Sequence, residues 1–357
     1  MSKLDLICSS IGLPDEAAAN AARSRQDRLT KPPGSLGRLE ELAVRVAAIQ
    51  GTSRPEVADK AVFVLAADHG VAREGVSAYP QAVTAQMVYN FVRGGAAINV
   101  LARHIGTRVI VADLGVACDL EPHPQIVVKK IGYGTRSLAC GPAMRREEAR
   151  RSIEAGIEIF EAELKQGLQL VGTGDMGIGN TTAATAIAAA CCGLPVEQVV
   201  GRGTGIDDAR FTAKIAVITR SLEMNRPEAS DPIDVLAKVG GYEIGGLAGV
   251  ILAAAAHRVP VVIDGFISGA AALIAVGLEP KVKEFIIAGH VSKEPGHRRI
   301  LERMGLQPLL DLEMRLGEGT GAVLAMGIVE AAVKLLNEMA TFDEAGVAEA
   351  IDQDQTA

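Results

Sequence analysis

The feature that most constrains the fold is a set of five short apolar runs, each of which ends at a polar residue or at glycine. The runs are residues 61–67, 108–112, 168–171, 259–263 and 285–288. Apart from Arg108 and Gln169 the runs are apolar and do not alternate with polar residues, which is typical of strands that are buried on both faces. Helical stretches lie between the runs, at residues 82–102, 145–165 and 243–257. This alternation predicts an α/β fold, with a mostly parallel, doubly wound, Rossmann-like sheet and helices on both of its faces.

Polar side chains stand where these runs end. Asp68, Asp113 and Asp264 come directly after three of the runs, Asp175 lies in the glycine cluster after a fourth, and His290 follows the fifth. In open α/β sheets, ligands bind outside the carboxyl ends of the strands. A single Asp at such a position is more often the start of a turn or the cap of a helix. The five positions together predict a ligand site at this edge of the sheet.

The two ends of the chain differ from its middle, because neither contributes an obvious strand. Residues 14–28 and 320–339 have helical patterns, and the second carries one apolar stripe. Chain termini often lie close together in space. We therefore expect an α/β catalytic domain at residues 31–304 and a small helical subdomain built from residues 1–30 with 305–357.

Composition and charge exclude several classes of function. The formal net charge is −7, the chain has no Trp, and its 36 basic residues form no block, which argues against a nucleic-acid partner. Five cysteines without a CxxC pair indicate reduced thiols and a cytoplasmic location. The uncharged stretch at residues 176–196 is interrupted by glycines, Asn and Thr. It predicts a buried turn and an Ala-rich helix in a soluble protein, with no membrane partner.

The tightest glycine cluster follows the third apolar run, from Gly172 to Thr182. Glycines let backbone N–H groups approach an anion closely, and the N-terminus of a following helix adds a favourable dipole. Residues 172–177 also match G-x-G-x-x-G, which keeps a Rossmann-type NAD-dependent oxidoreductase as the alternative function. The acidic residue that this motif requires about 20 positions later has only Glu197 as a candidate, next to Pro195. A catalytically silent ligand-binding protein is a third possibility.

His290, Glu294 and His297 are residue types that could suggest a metal site. Spacings of four and three across Pro295 and Gly296 would not bring them onto one helical face, and the chain has no H-E-x-x-H motif. The sequence therefore predicts no metal site and no other cofactor.

Seven segments carry a family resemblance. They are Lys31-Pro-Pro-Gly-Ser-Leu-Gly-Arg-Leu-Glu-Glu-Leu-Ala43, Ala67-Asp-His-Gly-Val71 with Val83-Thr-Ala-Gln-Met87, the loop from Gly174 to Thr182, Lys238-Val-Gly-Gly241, Asp264-Gly-Phe266 and Arg315-Leu-Gly-Glu-Gly-Thr-Gly-Ala322. In this combination and order the chain resembles the nicotinate-nucleotide–dimethylbenzimidazole phosphoribosyltransferases over nearly its whole length. Asp175 departs from the family pattern, which has Glu there, and the stretch around Tyr79 and Met87 varies among members and leaves the preferred base open.

The resemblance implies an enzyme that moves ribose 5-phosphate from nicotinate mononucleotide to 5,6-dimethylbenzimidazole. The products would be α-ribazole 5′-phosphate and nicotinate, in the assembly of the cobalamin nucleotide loop, and the family implies a homodimer. By the same resemblance, Glu318 is the general base, and Asp175 assists it. The other site residues that the resemblance implies are Gly177, Asn180, Gly203, Lys214 and Ser292 for the phosphoribosyl group and Tyr79, Gln86, Met87, Arg315 and Leu316 for the base.

Overall fold

Six parallel strands form one sheet in the computed structural model, which describes residues 1–348. The strands are β1 (Lys60–Ala67), β2 (Arg108–Gly115), β3 (Ile126–Val128), β4 (Leu170–Met176), β5 (Val261–Ile263) and β6 (Ile286–Ala288). Each of the five apolar runs contributes a strand, and the predicted α/β fold class is confirmed. The strand that was not predicted, β3, has only three residues and lies at the edge of the sheet.

Helices connect the strands and cover the sheet. Among the described residues the α-helices are α1 (Lys3–Ser10), α2 (Glu16–Arg28), α3 (Arg38–Gln50), α4 (Val83–Arg93), α5 (Ala97–His104), α6 (Arg146–Leu164), α7 (Asn180–Cys192), α8 (Asp208–Asn225), α9 (Pro232–Val239), α10 (Tyr242–Ala256), α11 (Phe266–Leu278), α12 (Pro295–Met304), α13 (Thr320–Glu338) and α14 (Phe342–Ala345). The helix predicted at residues 82–102 is two helices. Gly94 adopts a left-handed backbone with φ of 77° and ends α4 there.

The order of the strands creates a switch point in the middle of the sheet. The order is β3-β2-β1-β4-β5-β6. The chain moves outward from β1 through β2 to β3, and then returns to pair β4 with the other edge of β1. The connections that leave the carboxyl ends of β1 and β4 therefore run in opposite directions. A doubly wound sheet opens a crevice at such a point, where ligands bind.

Helices α6 and α10 approach each other closely because small residues line their contact. A Cβ at Gly156 of α6 would lie 1.9 Å from the carbonyl oxygen of Gly246. A Cβ at Gly249 of α10 would lie 1.9 Å from the carbonyl oxygen of Ile153. Real Cβ atoms do not approach a backbone oxygen this closely, so the two helices can pack at this distance only with glycine at both positions.

The described chain divides into two compact units whose bounds differ from those of the expected domains. The first unit comprises Met1–Gly12 and Asp59–Met326 and contains the whole sheet, and the second comprises Leu13–Ala58 and the described part of Gly327–Ala357. Residues 31–58 belong to the helical unit because α3 packs against α2. Residues 305–326 belong to the sheet unit, since they bond to the ends of β5 and β6. Residues 349–357 of the expected subdomain lie outside the described residues, and the division into a catalytic domain and a helical subdomain stays a prediction.

The helical unit is held together by hydrogen bonds and an ion pair as well as by apolar contacts. The Arg25 guanidinium of α2 donates from Nε to the carbonyl oxygen of Leu336 (2.8 Å) and from Nη2 to that of Met339 (3.0 Å). Lys31 Nζ lies 2.8 Å from Glu40 Oε1 of α3, and both side chains are largely buried. These contacts explain why the unit takes segments from both parts of the chain.

Helix α13 is long and apolar enough to cross a membrane when only its length and composition are considered. It is the one helix among residues 1–348 that meets this test, and 56% of its most apolar stretch is buried. A core helix of a globular protein meets the same test. The uncharged stretch noted in the sequence forms α7, which has 13 residues and is mostly buried, whereas a membrane span needs about 20.

Replacing Gly249 with Ala should destabilise the protein, because the added methyl group meets the Ile153 carbonyl oxygen of α6 at 1.9 Å. Overpacking of this kind costs roughly 1–3 kcal/mol. Gly12→Ala is the matched control, since nothing lies within 4 Å of the position that its methyl group would occupy and its φ is not left-handed. Chemical unfolding should show a lower free energy of unfolding for Gly249→Ala alone. Equal stability of both variants would contradict the close packing of α6 on α10.

Candidate active site

A cavity of about 510 Å³ opens at the carboxyl edge of the sheet. It lies at the switch point between β1 and β4, and its size suits a small organic ligand. Its lining residues are Tyr79, Val83 and Met87 after β1, Asp175, Met176, Gly177, Ile178, Asn180 and Thr181 at the end of β4, Gly203 and Thr204, Gly265, Phe266 and Ile267 after β5, His290, Ser292 and Glu294 after β6, and Arg315, Leu316, Gly317 and Glu318 before α13. The cavity therefore combines apolar walls with buried carboxylates.

Glu318 enters the cavity from a turn of unusual backbone conformation. Gly317, Glu318 and Gly319 all have left-handed φ angles, of 87°, 63° and 91°. Glycine adopts this region freely, whereas Glu318 does so at a cost of about 1–3 kcal/mol. The turn also presses on β4, because a Cβ at Gly174 would lie 2.5 Å from the Glu318 carbonyl oxygen. Glycines on the turn and below it therefore bring the Glu318 side chain to the end of β4.

The Glu318 carboxyl group is buried, with 6% of the residue exposed. Its Oε2 accepts a hydrogen bond from the backbone N–H of Ile98 at 3.3 Å. Burial raises the pKa of the Glu318 carboxyl above its ordinary value, and the charge of Asp264 raises it further, while the Ile98 bond acts in the opposite direction. A carboxylate with a raised pKa is a stronger base than an exposed one, so Glu318 is suited to accept a proton.

Asp175 is a second buried carboxyl group beside this turn. Asn180 Nδ2 donates to Asp175 Oδ2 at 2.8 Å, and a Cβ at Gly317 would lie 3.3 Å from Asp175 Oδ1. Burial raises the pKa of Asp175 well above its ordinary range, and the charges of Asp264 and Glu243 act in the same direction. Two neighbouring carboxyl groups with raised pKa values can share one proton near neutral pH.

A buried lysine lies behind the part of the cavity wall that contains Thr181 and Gly203. Lys214 Nζ donates to Thr181 Oγ1 (2.9 Å) and to the carbonyl oxygen of Gly201 (3.0 Å). Burial lowers the pKa of the Lys214 ammonium to about 8, and the carboxylate of Glu294 partly opposes this shift. Glu294 Oε1 accepts from the backbone N–H of Gly203 at 2.9 Å. This part of the cavity wall therefore holds the Lys214 cation beside the Glu294 carboxylate, which occupies the Gly203 amide, and Lys214 is the group there that could attract an anion.

Behind the turn that follows β4 lies a buried pair formed by His69 and Glu243. Their side chains are fully buried, and His69 Nε2 lies 2.6 Å from Glu243 Oε1. The ring of His69 packs under the turn, because Cβ atoms at Gly177 and Gly179 would lie 3.4 and 3.3 Å from its Cδ2 and Cβ. The pair therefore supports the loop between β4 and α7 from below.

Comparisons with known proteins place this architecture in one family. A family model described as Phosphoribosyltransferase matches residues 11–347. A relative from Chloroflexus aggregans (strain MD-66 / DSM 9485), named nicotinate-nucleotide–dimethylbenzimidazole phosphoribosyltransferase, is 61% identical over 349 residues, which cover 98% of this chain and 99% of the relative. A relative of the same name from Desulforudis audaxviator (strain MP104C) is 60% identical over 340 residues, which cover 95% and 96%. The chain belongs to this phosphoribosyltransferase family.

A solved structure supports the same assignment. The crystal structure of CobT from Thermus thermophilus is 50% identical to this chain and superposes with a TM-score of 0.90, covering 94% of this chain and 100% of the other. The family expected from the seven sequence segments is confirmed.

The glycines that match the dinucleotide-binding motif pack against other parts of the protein in this phosphoribosyltransferase. Gly172 and Gly174 lie within β4 and not in the turn after it. A Cβ at Gly172 would lie 2.9 Å from Met326 Sδ of α13, and one at Gly174 would strike the Glu318 turn. These glycines therefore make room for protein groups on the face of the strand, and the oxidoreductase alternative is wrong.

The structure brings most of the expected site residues together. Of the residues that the resemblance implied, all except Gln86 and Lys214 line the cavity. Lys214 lies just behind the wall and reaches it through Thr181. Gln86 is exposed on α4, whose cavity face carries Val83 and Met87, four residues apart and therefore on one side of the helix. The role of each residue stays a prediction.

Arg315 makes a contact that the sequence did not suggest. Its Nη1 donates to the carbonyl oxygen of Gly203 at 3.0 Å. The side chain expected at the base therefore ties the segment before α13 to the Gly203 loop.

The sequence analysis does not assign several of the residues that line the cavity. Val83 and Phe266 form apolar parts of its wall. The spacing of four between Val83 and Met87 and the position of Phe266 after β5 are the sequence features that indicate them. The sequence indicates Glu294 only as a possible metal ligand. Its contact with Gly203 joins residues 91 positions apart, and no local pattern reveals a contact of that kind.

Inorganic phosphate should bind this phosphoribosyltransferase less tightly as the pH rises above about 8, because Lys214 loses its proton there. Titration calorimetry at pH 7.5 and 9.5 measures the effect, since phosphate is mostly dianionic at both values. Lys214→Met should weaken binding by roughly tenfold or more and remove the pH dependence. Lys293→Met, at a neighbouring exposed lysine, should keep it. Unchanged affinity in Lys214→Met would show that Lys214 is not part of the anion site.

Proposed function

We propose that this chain is a nicotinate-nucleotide–dimethylbenzimidazole phosphoribosyltransferase, which transfers ribose 5-phosphate from nicotinate mononucleotide to 5,6-dimethylbenzimidazole. The products are α-ribazole 5′-phosphate and nicotinate, used in assembly of the cobalamin nucleotide loop. The observation that carries the proposal within the site is Glu318, a buried carboxyl with a raised pKa at the wall of a partly apolar cavity. Family membership over the whole described chain supports it.

The reaction needs one base and no acid. The bond between the anomeric carbon and the pyridinium nitrogen breaks, and its electron pair leaves with nicotinate, whose ring nitrogen becomes neutral. One ring nitrogen of the acceptor base forms the new bond to the anomeric carbon from the opposite face, which converts a β-linkage into an α-linkage. The other ring nitrogen loses its proton, and Glu318 accepts it. Holding two flat rings on opposite faces of one ribose supplies much of the remaining acceleration.

The chemistry of the cavity wall supports the proposed orientation of the substrates. The donor phosphate belongs near Lys214, with Gly177, Asn180, Gly203 and Ser292. Asn180 begins α7 after Gly179, so the positive end of the helix dipole favours an anion there.

The acceptor base belongs against Tyr79, Met87 and Leu316, with Gln86 at the margin of this surface and Arg315 between it and the Gly203 loop, to which Arg315 is bonded. Tyr79 and Leu316 are more than half exposed, so a flat aromatic ring placed on them would cover apolar surface. Asp175 assists Glu318 by sharing its proton.

An activity assay with a panel of acceptors tests the function directly. We expect equimolar nicotinate and α-ribazole 5′-phosphate from nicotinate mononucleotide and 5,6-dimethylbenzimidazole, identified by chromatography with mass spectrometry. Benzimidazoles, purines and phenols in one mixture would reveal the preferred acceptor. Absence of nicotinate release with every acceptor would contradict the proposal.

Glu318→Gln should lower kcat by about 10²–10⁴-fold, because the variant keeps the size of the side chain but cannot accept the proton. The KM values should change little, since the base acts mainly in the transition state. Glu313→Gln is the matched control on the same segment, because the Glu313 side chain is 80% exposed. If Asp175 substitutes in part, adding Asp175→Asn should remove the residual activity. Near-normal kcat in Glu318→Gln would assign the base to another group.

Metal removal should leave turnover unchanged, because a leaving group that departs neutral needs no Lewis acid. Among residues 1–348, no group of three or more His, Cys, Asp or Glu side chains is arranged to hold a metal ion. Dialysis against EDTA followed by the nicotinate-release assay measures this. Activity lost on dialysis and restored by one divalent ion would contradict the expectation.

The proposal also includes a cytoplasmic homodimer, as the family resemblance implies. Five cysteines, all of them free, are consistent with a reducing compartment. Light scattering coupled to size exclusion should give twice the mass of one chain.

A further inference from the structure

The residue that follows β5 contacts the Glu318 turn through several hydrogen bonds. Asp264 is fully buried. Its Oδ2 accepts from the backbone N–H of Gly319 at 3.2 Å, and its Oδ1 accepts from those of Gly321 at 2.7 Å and Ala322 at 3.0 Å. Its own N–H donates to Thr173 Oγ1 of β4 at 3.3 Å. One carboxylate therefore ties the turn and the first residues of α13 to the centre of the sheet.

These bonds act on a backbone that would not keep its conformation alone. Glu318 has φ of 63° between two left-handed glycines, and such a conformation persists only where its surroundings determine it. Gly174 leaves room below the turn, while Asp264 holds the residue directly after Glu318. A change of this anchor would alter the direction in which the Glu318 side chain leaves the backbone.

Two carboxyl groups and one backbone amide interact with the Glu318 carboxylate. The carboxyl groups are those of Asp264, after β5, and Asp175, at the end of β4, and the amide is the Ile98 N–H of α5. His290, after β6, faces Asp264, with Nε2 3.5 Å from Oδ1. The negative charge of Asp264 raises the pKa of both Glu318 and Asp175. Asp264 therefore acts on Glu318 through the backbone and through its charge.

We propose that Asp264 is a positioning residue for the transfer reaction, which fixes the Glu318 turn and keeps the Glu318 carboxylate a strong base. The proposal rests on the proposed function of Glu318 as the general base. An ordinary helix cap would contribute to stability alone. A positioning residue changes kcat and its pH dependence as well.

The pH profile of Asp264→Asn separates these two roles. The change removes a negative charge near Glu318, which stabilises the ionised form of Glu318 and lowers its pKa. The acid limb of the kcat profile should therefore move to lower pH, while the plateau falls by roughly 10- to 100-fold because the base is less well placed. Asp264→Glu keeps the charge and moves the carboxylate, so its plateau should fall with the acid limb in place. An unmoved acid limb in Asp264→Asn would overturn the proposal.

Asp68→Asn is the matched control. Asp68 is a buried Asp that follows β1, and its Oδ2 accepts a hydrogen bond from the Ala117 N–H at 2.8 Å. This bond does not involve the Glu318 turn. The acid limb of this variant should coincide with that of the unmodified enzyme. A shift equal to that of Asp264→Asn would mean that any buried charge at this edge has the effect, and would overturn the assignment to Asp264.

A double-variant cycle shows whether Asp264 acts through Glu318. In a Glu318→Gln background, Asp264→Asn should cost little further kcat, because the group that it positions is already lost. If Glu318→Gln is slow and Asp264→Asn lowers kcat by the same factor with or without Glu318, the role of Asp264 is overturned and Glu318 remains the general base. Near-normal kcat in Glu318→Gln alone would overturn both assignments. If Asp264→Asn does not fold, Asp264→Ser provides an uncharged acceptor for the same measurements.

Discussion

The pairing of β1 with β4 is the interaction on which the rest of the structure depends. It joins two halves of the sheet that extend in opposite directions, and it places the connections after β1 and β4 on either side of one crevice. The turn after β4 lies directly on the end of β1, since a Cβ at Gly177 would be 2.3 Å from the carbonyl oxygen of Ala67. The residues that line the cavity are close together because this pairing brings the ends of their strands to one edge.

Close approach of backbones is the second requirement, and it explains where many of the 39 glycines occur. Gly156 and Gly249 allow α6 to pack on α10, Gly174 admits the Glu318 turn, and a Cβ at Gly321 would lie 2.0 Å from His290 Cδ2. A glycine can allow either a nucleotide or another part of the protein to approach the backbone closely, and the structure shows which of the two lies next to it. For Gly172 that partner is a methionine of α13.

Sequence patterns predicted the features that follow from local chemistry. Apolar runs predicted the long central strands. The polar residues after them predicted the edge of the sheet at which the cavity opens, although only Asp175 and His290 of the five line it. The sequence could not give β3, because three residues at a sheet edge, ending in the exposed Val128, bury too little apolar surface to form a pattern. It also could not give the pairing of His69 with Glu243, 174 positions apart, or the boundary near residue 58. These depend on which helices and loops meet in space.

The charges of the site follow from the same arrangement. In this buried region the charges of Asp264 and Glu243 add to the effect of burial and raise the pKa of Asp175, and the charge of Asp264 adds to the effect of burial at Glu318. Crowding of this kind disfavours the ionised forms of Asp175 and Glu318 in the folded protein, and the Asn180 side chain and the Ile98 amide offset part of that cost. The crowding also makes Glu318 a better proton acceptor. Burial lowers the pKa of Lys214 to about 8, still high enough to hold a proton near neutral pH. Separate environments thus place a carboxyl group with a raised pKa in the wall of one cavity and a buried cation behind another part of that wall, and the proposed transfer between an anionic donor and a flat acceptor uses both.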